Sequence, residues 1–586
     1  MVGLRFSSVT LTAILLSACA GGSSTAGPAQ TAQTAGSAKR CQGLVEGLAV
    51  RWPEASTRLT GVVHREAGLE QPQQGPPGMA LPRANLPAHC DITGVMQERT
   101  GVDGQDYAIR FHLRLPDDWN GRFLMQGGGG TNGELGDAVG RLAGASAPAL
   151  AQGFAVLAQD SGHDNARNTV PERNGAAAFG FDPQARADYG GDSLEKVALA
   201  AKALIGAYYG GQPRYSYFFG CSKGGQEGMA LAQQYPDLFD GIVAGAPGFS
   251  LPRAAIGEAW NTQAFASVVK ADGRQVTLAN LGSSFSPADL GLVGQAILAA
   301  CDAGDGLADG IIGDFRQCTS DKVLPKLAER RCSGAKADGC LSAAQIEALE
   351  LIHGGARSSD GKQLYAGFPW DAGWGDMGWR IWMLGSPDGG MTAINVAMGA
   401  PSLASVFSSP PRALGSDPAA SLAYVLGYDF DRGSAALDAV VPPFTRSAWE
   451  DNAARSSNLD GFRARGGKLI VPHGVSDPVF SINDTADWWD EVNRRYNGRA
   501  ADFTRVFPVP GMGHCQGGPA TDNFDAFAAI TNWVERDSAP ASLPAKAGPM
   551  APWPGRERPL CPYPQVARPV KGSVAMNGEP TFECVG

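Results

Sequence analysis

Residues 215–234 read YSYFFGCSKGGQEGMALAQQ, and this stretch limits the possible folds more than any other part of the chain. Tyr215–Phe219 has the composition of a short strand, and Gln226–Gln234 has helical spacing. Between them Gly220-Cys221-Ser222-Lys223-Gly224 fits G-x-S-x-G. A strand that turns abruptly into a helix holds the serine backbone in a strained conformation and lifts its hydroxyl into a cleft. The flanking glycines are needed because side chains there would strike neighbouring elements. Ser222 is therefore the candidate nucleophile.

The elements around this turn alternate in type. Tyr107, Ile109, Phe111, Leu113 and Leu115 recur with period two, as in a strand with one buried face. Short strand-like runs follow at Phe123–Met125, Phe154–Ala158, Asp240–Ala244, Lys468–Val471 and Arg505–Val509. Leu194, Val197, Ala201, Leu204, Ile205 and Tyr208 are spaced for a helix, with Asp192-Ser193-Leu194-Glu195 as an expected capping box. A further helix is expected over 524–534. Strands alternating with helices indicate an α/β protein with a parallel sheet. The alternation fades between about 250 and 460. The chain is thus expected to be an α/β-hydrolase fold in two parts, 41–250 and 461–586, around an inserted lid domain at 251–460. Apolar residues make up 44 % and charged residues 18 %, which suits a packed core. Net charge is −10 with no basic block, which argues against a nucleic-acid partner, and no apolar run of spanning length is evident.

A serine hydroxyl needs a base. Of the seven histidines, only His353, His473 and His514 follow Ser222. His514 lies in the glycine-rich loop Pro510–Cys515, between a strand and the last long helix, where this fold carries its base. Asp477 follows the strand 468–471 and can hold the imidazole tautomer. Asp484, Asp487 and Asp490 compete with it from an expected helix. An oxyanion hole requires backbone N–H groups, one from Lys223 and one from the loop Gly127–Gly130.

The N-terminus has the pattern of an export signal at 1–18. Arg5 precedes a short apolar run that ends in Leu16-Ser17-Ala18-Cys19, as in a bacterial lipoprotein signal that leaves Cys19 lipidated. Residues 19–40, rich in Gly, Ser, Thr, Ala and Gln, are expected to form a flexible tether. The expected location is outside the cytoplasm: anchored at the outer membrane through the lipid, or periplasmic or secreted. Setting Cys19 aside, ten of the 11 cysteines remain, an even number that argues for disulfides in an exported chain. Cys301/Cys318 and Cys332/Cys340 are near enough in sequence to close local loops. The run Cys301–Asp314 packs carboxylates into a glycine-broken loop whose hard oxygen donors suit Ca²⁺, without the spacing of an EF-hand. No organic cofactor is expected.

Gly-Cys-Ser-x-Gly-Gly with Gly-x-x-His-Cys, a cysteine before the serine and another after the histidine, resembles the tannase and feruloyl esterase family. Phe179–Arg186, Gly162–Ala166 and Cys561–Gln565 are similar to segments of one member, and the resemblance covers nearly all of the chain after the tether. It implies a triad of Ser222, Asp477 and His514, with oxyanion donors at Gly128 and Lys223. It also implies the pairs Cys221–Cys515, Cys41–Cys90, Cys301–Cys318, Cys332–Cys340 and Cys561–Cys584. The first of these makes physical sense, because a disulfide there would hold nucleophile and base at working distance. A structural calcium would take Asp302, Asp305 and Asp309 side chains and the Leu307 and Ile311 carbonyls. Trp382, Phe480, His473 and Met398 would line the substrate pocket.

The resemblance implies a carboxylic ester hydrolase acting on small esters of aromatic acids, of feruloyl or galloyl type, through an acyl-enzyme. The alternatives are hydrolysis of a terephthalate monoester to terephthalate and ethylene glycol, or a non-catalytic lipoprotein that binds phenolics. One departure bears on this choice. Between Ile381 and Pro411 there is no Arg or Lys, and Ile394 and its neighbours stand in the stretch where the similar member has a carboxylate-binding Arg. A buried carboxylate without a cation is costly, so a neutral phenolic ester is the expected substrate, unless Lys223 or Arg412 supplies the charge.

Overall fold

The nucleophile turn sits in the middle of a nine-stranded mixed sheet. A computed structural model describes residues 28–46, 50–70, 83–574 and 580–586. The expected signal segment and Cys19 lie outside these residues. The sheet strands are β1 (Arg58–Arg65), β2 (His89–Thr100), β3 (Asp106–Pro116), β4 (Arg122–Gln126), β5 (Ala155–Gln159), β6 (Tyr215–Cys221), β7 (Gly241–Gly245), β8 (Lys468–Gly474) and β9 (Thr504–Val509). Their order is β1-β2-β3-β5-β4-β6-β7-β8-β9. The pairs β1-β2, β2-β3 and β3-β5 are antiparallel, whereas β5-β4-β6-β7-β8-β9 pair in parallel. β3 alternates buried and half-buried positions, while β5 and β7 are buried throughout, as befits a central parallel strand covered on both faces.

Helices α1 (Pro28–Glu46), α2 (Ser193–Tyr209) and α3 (Lys223–Gln234) can be named first. α2 and α3 cover one face through Leu194, Val197, Leu204, Met229 and Leu231. The expected capping box at the start of α2 does not form. The chain enters α2 from a preceding wide helical turn, Asp188–Asp192, so there is no free N-terminus to cap. Asp192 instead pairs with Arg446 (2.8 Å). The expected tether is also corrected over residues 28–40, which belong to α1. Ala and Gln are good helix formers, and the disulfide Cys41–Cys90 fastens α1 to β2.

Between Gly245 and Lys468 the chain adds no strand to this sheet. It forms a helical lid that starts with α4 (Leu251–Ala271) and includes α5 (Met377–Leu384). The lid has its own core, in which Phe265, Val293, Ile297, Trp370, Trp374 and Trp379 are fully buried. One stretch of it, Leu278–Asp305, is long and apolar enough to span a bilayer by length and composition, but half of it is buried in this core. After the lid come α6 (Ile482–Arg495) and α7 (Ala526–Arg536), the latter packing Phe527, Ile530 and Trp533 on the opposite face of the sheet.

Candidate active site

Ser222 sits at the β6–α3 turn with φ 66° and ψ −122°, a conformation that an L-residue adopts only under constraint. The turn is so tight that a Cβ on Gly220 would lie 2.6 Å from the Gly224 carbonyl oxygen, and one on Gly224 would lie 2.7 Å from that of Gly128. α3 begins at Lys223, immediately after the serine, rather than at Gln226.

Asp477 and His514 reach Ser222 from the ends of β8 and β9, two and three strands beyond β6 in the sheet. Ser222 Oγ and His514 Nε2 are 2.8 Å apart, and His514 Nδ1 lies 2.8 Å from Asp477 Oδ2. The other oxygen of Asp477 accepts the N–H groups of Val479 (2.8 Å) and Phe480 (3.0 Å). Burial pushes the Asp477 carboxyl up, but the hydrogen bonds and charges of His514 and His473 overcome that and hold it well below the usual range. Asp477 therefore stays an acceptor, which fixes His514 with its free nitrogen toward the serine. The competing acids are engaged elsewhere: Asp484 with Arg455 (2.7 Å), Asp487 with Arg316 (3.0 Å), and Asp490 with the Tyr563 hydroxyl (3.1 Å). The Cys221–Cys515 disulfide ties the residue before the nucleophile to the residue after the base, with Cα atoms 6.1 Å apart. The other four pairs are Cys41–Cys90, Cys301–Cys318, Cys332–Cys340 and Cys561–Cys584.

The oxyanion loop needs one correction. The Gly128 N–H donates to Glu227 Oε2 (2.9 Å) and is not available to a substrate. Among the described residues, the N–H groups of Gly129 and Lys223 have no acceptor, and a Cβ on Gly129 would point into open space. Gly129 and Lys223 are thus among the donors left free for a substrate. The fully buried Glu227 organises both sides, since it also accepts from Asn132 Nδ2 (2.8 Å) and Lys223 Nζ (3.1 Å). Sequence reading missed it, although a carboxylate five residues after the nucleophile, on the first turns of its helix, was a usable signal.

Trp382 and Phe480 stand edge-on to the His514 ring, at 5.1 and 5.4 Å between centroids. Met398 closes on the oxyanion loop, its sulfur 3.7 Å from where a Cβ of Gly130 would lie. His473 does not line the cleft. It is fully buried, its Nε2–H donating to the Phe480 carbonyl (2.9 Å) while Nδ1 pairs with the Thr485 hydroxyl (2.9 Å). It supports the acid loop from behind. Another missed residue is Asp371 of the lid. One of its oxygens, Oδ2, accepts from both Ser476 Oγ (2.6 Å) and Gly511 N (2.7 Å), so it braces the acid and base loops together.

Lys223 is not free to meet a substrate carboxylate, whereas Arg412 is exposed and makes no ion pair among the described residues. Lys223 is buried, paired with Glu227 and 4.6 Å above the Tyr189 ring; Arg412 lies over Tyr424. Arg380, beside the cleft helix, donates to the Phe285 and Gly282 carbonyls. In the acidic lid loop, Asp302 accepts from the Asp309 and Gly310 N–H groups, Asp305 from those of Leu307 and Gly313, and Asp309 from Arg558. Among the described residues no three His, Cys, Asp or Glu side chains form a ready metal-holding cluster. The donor chemistry nevertheless fits a hard cation: burial and mutual repulsion with Asp302 and Asp309 push Asp305 up to about 6.

Comparison with known proteins is consistent with this geometry. The family model described as tannase and feruloyl esterase matches residues 90–584. The mono(2-hydroxyethyl) terephthalate hydrolase of Piscinibacter sakaiensis is 42 % identical over 575 residues, covering 93 % of this chain and 91 % of that protein. An uncharacterized esterase of Xanthomonas campestris pv. campestris is 32 % identical over 512 residues, 78 % of this chain and 77 % of its own. Among solved structures, feruloyl esterase B from Aspergillus oryzae superposes with a TM-score of 0.71 at 21 % identity, over 94 % of this chain and all of the other, and so shares the fold.

Proposed function

The chain belongs to the tannase and feruloyl esterase family and is a carboxylic ester hydrolase; from that premise we propose that it cleaves esters of aromatic acids through an acyl-enzyme on Ser222. The observation that supports this most is the continuous Asp477–His514–Ser222 relay, with aromatic rings on both sides of the imidazole. His514 Nε2 takes the serine proton as Oγ attacks the ester carbonyl. Charge on the carbonyl oxygen then faces the N–H groups of Gly129 and Lys223. Collapse expels the alcohol, protonated by His514, and leaves the acyl group on Ser222. Water, activated by the same imidazole, releases the acid. The edge-on Trp382 and Phe480 rings suit a flat acyl group.

Neutral phenolic esters are the favoured substrates. The lid offers no cation between Ile381 and Pro411, Lys223 is already paired with Glu227, and Arg412 lies exposed over Tyr424. Turnover of methyl ferulate, methyl gallate and mono(2-hydroxyethyl) terephthalate by wild type and Ser222→Ala tests both parts. Hydrolysis that survives Ser222→Ala would remove the mechanism. A wild type that prefers the terephthalate monoester would reverse the substrate reading in favour of the activity that the Piscinibacter relative is named for.

Calcium in the lid loop is part of the same proposal, as a structural ion held by Asp302, Asp305 and Asp309 with the Leu307 and Ile311 carbonyls. Its support is that burial, with repulsion from neighbouring carboxylates added, pushes Asp302 and Asp305 up, a cost that a divalent cation relieves. Added Ca²⁺ is expected to raise the melting temperature of chelator-treated wild type and not that of Asp305→Ala; equal behaviour of the two proteins would remove the ion. The five disulfides are consistent with export. Anchoring through a lipidated Cys19 follows from Leu16–Cys19 and is tested by palmitate labelling of wild type against Cys19→Ala.

A further inference from the structure

Glu258 has no partner. It lies in the second turn of α4, is 7 % exposed, and its carboxyl makes no hydrogen bond or ion pair among the described residues. A buried carboxyl in that condition costs stability, and core packing alone does not account for it.

Its position relative to the nucleophile supplies a reason. The Gly248 N–H donates to the Ser222 carbonyl (3.2 Å), so α4 rises directly from the nucleophile turn. Gly248 is in close contact with Phe480 and Leu251, and Phe480 stands against His514. Glu258 is seven residues beyond Leu251, on the same helix face and about 10 Å further along. Opposite this face runs the lid segment Asn395–Gly399. Met398 of that segment meets the oxyanion loop, and its neighbour Gly399 meets Glu258: a Cβ on Gly399 would fall 1.8 Å from Glu258 Oε2. Phe480 and Met398 thus stand beside the catalytic loops, and Glu258 lies where α4 meets the segment that carries Met398.

We infer that Glu258 closes the acyl end of the substrate cavity and hydrogen-bonds an oxygen substituent at the far end of the aromatic ring. The inference rests on the esterase reading above and names its acyl class: ring acids with a para oxygen, such as p-coumarate, in preference to those without one, such as cinnamate. With burial alone pushing Glu258 up to about 8, the carboxyl keeps its proton at neutral pH and serves as donor as well as acceptor.

The test compares p-coumarate with cinnamate in two assays: turnover of the methyl esters, and binding of the free acids to Ser222→Ala. The expected preference for the hydroxylated compound is about three- to ten-fold, the range of one neutral hydrogen bond. Glu258→Leu should bring that ratio to near one in both assays, and Glu258→Gln should keep the ratio. Folding is not at risk in Glu258→Leu, since an unpaired carboxyl is replaced by an apolar side chain of similar size. A ratio unchanged in Glu258→Leu, or a wild type indifferent to the para oxygen, overturns the inference even if every ester is hydrolysed. If no ester is turned over, the esterase reading fails, and the binding ratio still decides the role of Glu258.

Discussion

A serine hydroxyl is as weak a nucleophile in this chain as in water until its proton has somewhere to go, and that destination is one imidazole held in one tautomer. The single fully buried carboxylate of Asp477, with His514 and two backbone N–H groups as donors, sets that tautomer. Asp477→Asn keeps the shape and can present an N–H where an acceptor is needed. Single-turnover ester cleavage is therefore expected to drop by about 10⁴ with an unchanged melting curve; a loss below ten-fold would mean that another acceptor serves His514. A second residue-scale change concerns the acyl end. Ile394 is half-buried at the start of the segment that carries Met398 and Gly399. Ile394→Arg should improve kcat/KM for mono(2-hydroxyethyl) terephthalate by one to two decades, since a charge-assisted contact contributes roughly 1.5–3 kcal/mol. Methyl ferulate is the control, and equal gains on both esters would show that charge was not the cause. Residues whose role is set by reactivity were legible: Ser222, His514 and Asp477 each have few rivals in the chain. Gly128 and His473 were misplaced because the direction of a backbone N–H, and the side of a strand from which a ring points, depend on packing and not on residue type.

At the scale of elements, the catalytic loops are held by a residue that belongs to neither. Asp371 comes from the lid, yet one of its oxygens accepts from Ser476 and Gly511, so it joins the loop after β8 to the loop after β9. Burial pushes its carboxyl up to about 6, against the two hydrogen bonds that pull it down. A folded-state value above the unfolded one means that the native protein holds the proton more tightly. The stabilising contribution is complete below about pH 4 and is lost as pH rises through about 6. Asn at 371 can offer its carbonyl oxygen to both donors without ever ionising. Asp371→Asn should therefore retain kcat and gain roughly 2–3 kcal/mol relative to wild type on going from pH 4 to pH 7. Chemical denaturation of the two proteins across that range measures the difference; parallel curves would show that Asp371 does not titrate there. Asp371 carried no signal in the sequence, because its partners are more than a hundred residues away. The strands and the helix 194–208 were legible from their periodicity. The cap at Asp192 was not, because a preceding wide turn already supplied acceptors for the N–H groups that a cap would have served.

The molecule as a whole is a sheet domain and a helical lid meeting at one cleft, and side chains of the sheet domain such as Phe179, Tyr189 and Phe480 pack into the lid core. The sheet carries Ser222 on one strand end and His514 three strands away, with more than two hundred residues of lid inserted between the strands that bear Ser222 and Asp477. The alternation of short apolar runs was enough to predict the sheet but not its order, which depends on crossovers that leave no local trace. Cys221–Cys515 spans this arrangement, joining positions 294 residues apart at the point where nucleophile and base must meet. A loop of that length leaves the unfolded chain most of its freedom when open, so the bond contributes on the order of 2–5 kcal/mol, chiefly by restricting the unfolded state. Its second effect is on geometry: Cys515 has φ 65°, so the backbone beside the base is held in a left-handed conformation by its cross-link and its neighbours. Removing both sulfurs with Cys221→Ala and Cys515→Ala together leaves no stray thiol to mispair. The double variant should unfold at lower denaturant concentration with the same slope, because the surface buried is unchanged. It should also lose kcat more than it gains KM, since substrate contacts through Trp382, Phe480 and Met398 remain while the Ser222–His514 distance is freed. A fall in stability with kcat intact would assign the bond to folding alone, and a fall in kcat that returns when the protein is assayed well below its melting temperature would assign the loss to partial unfolding rather than to alignment.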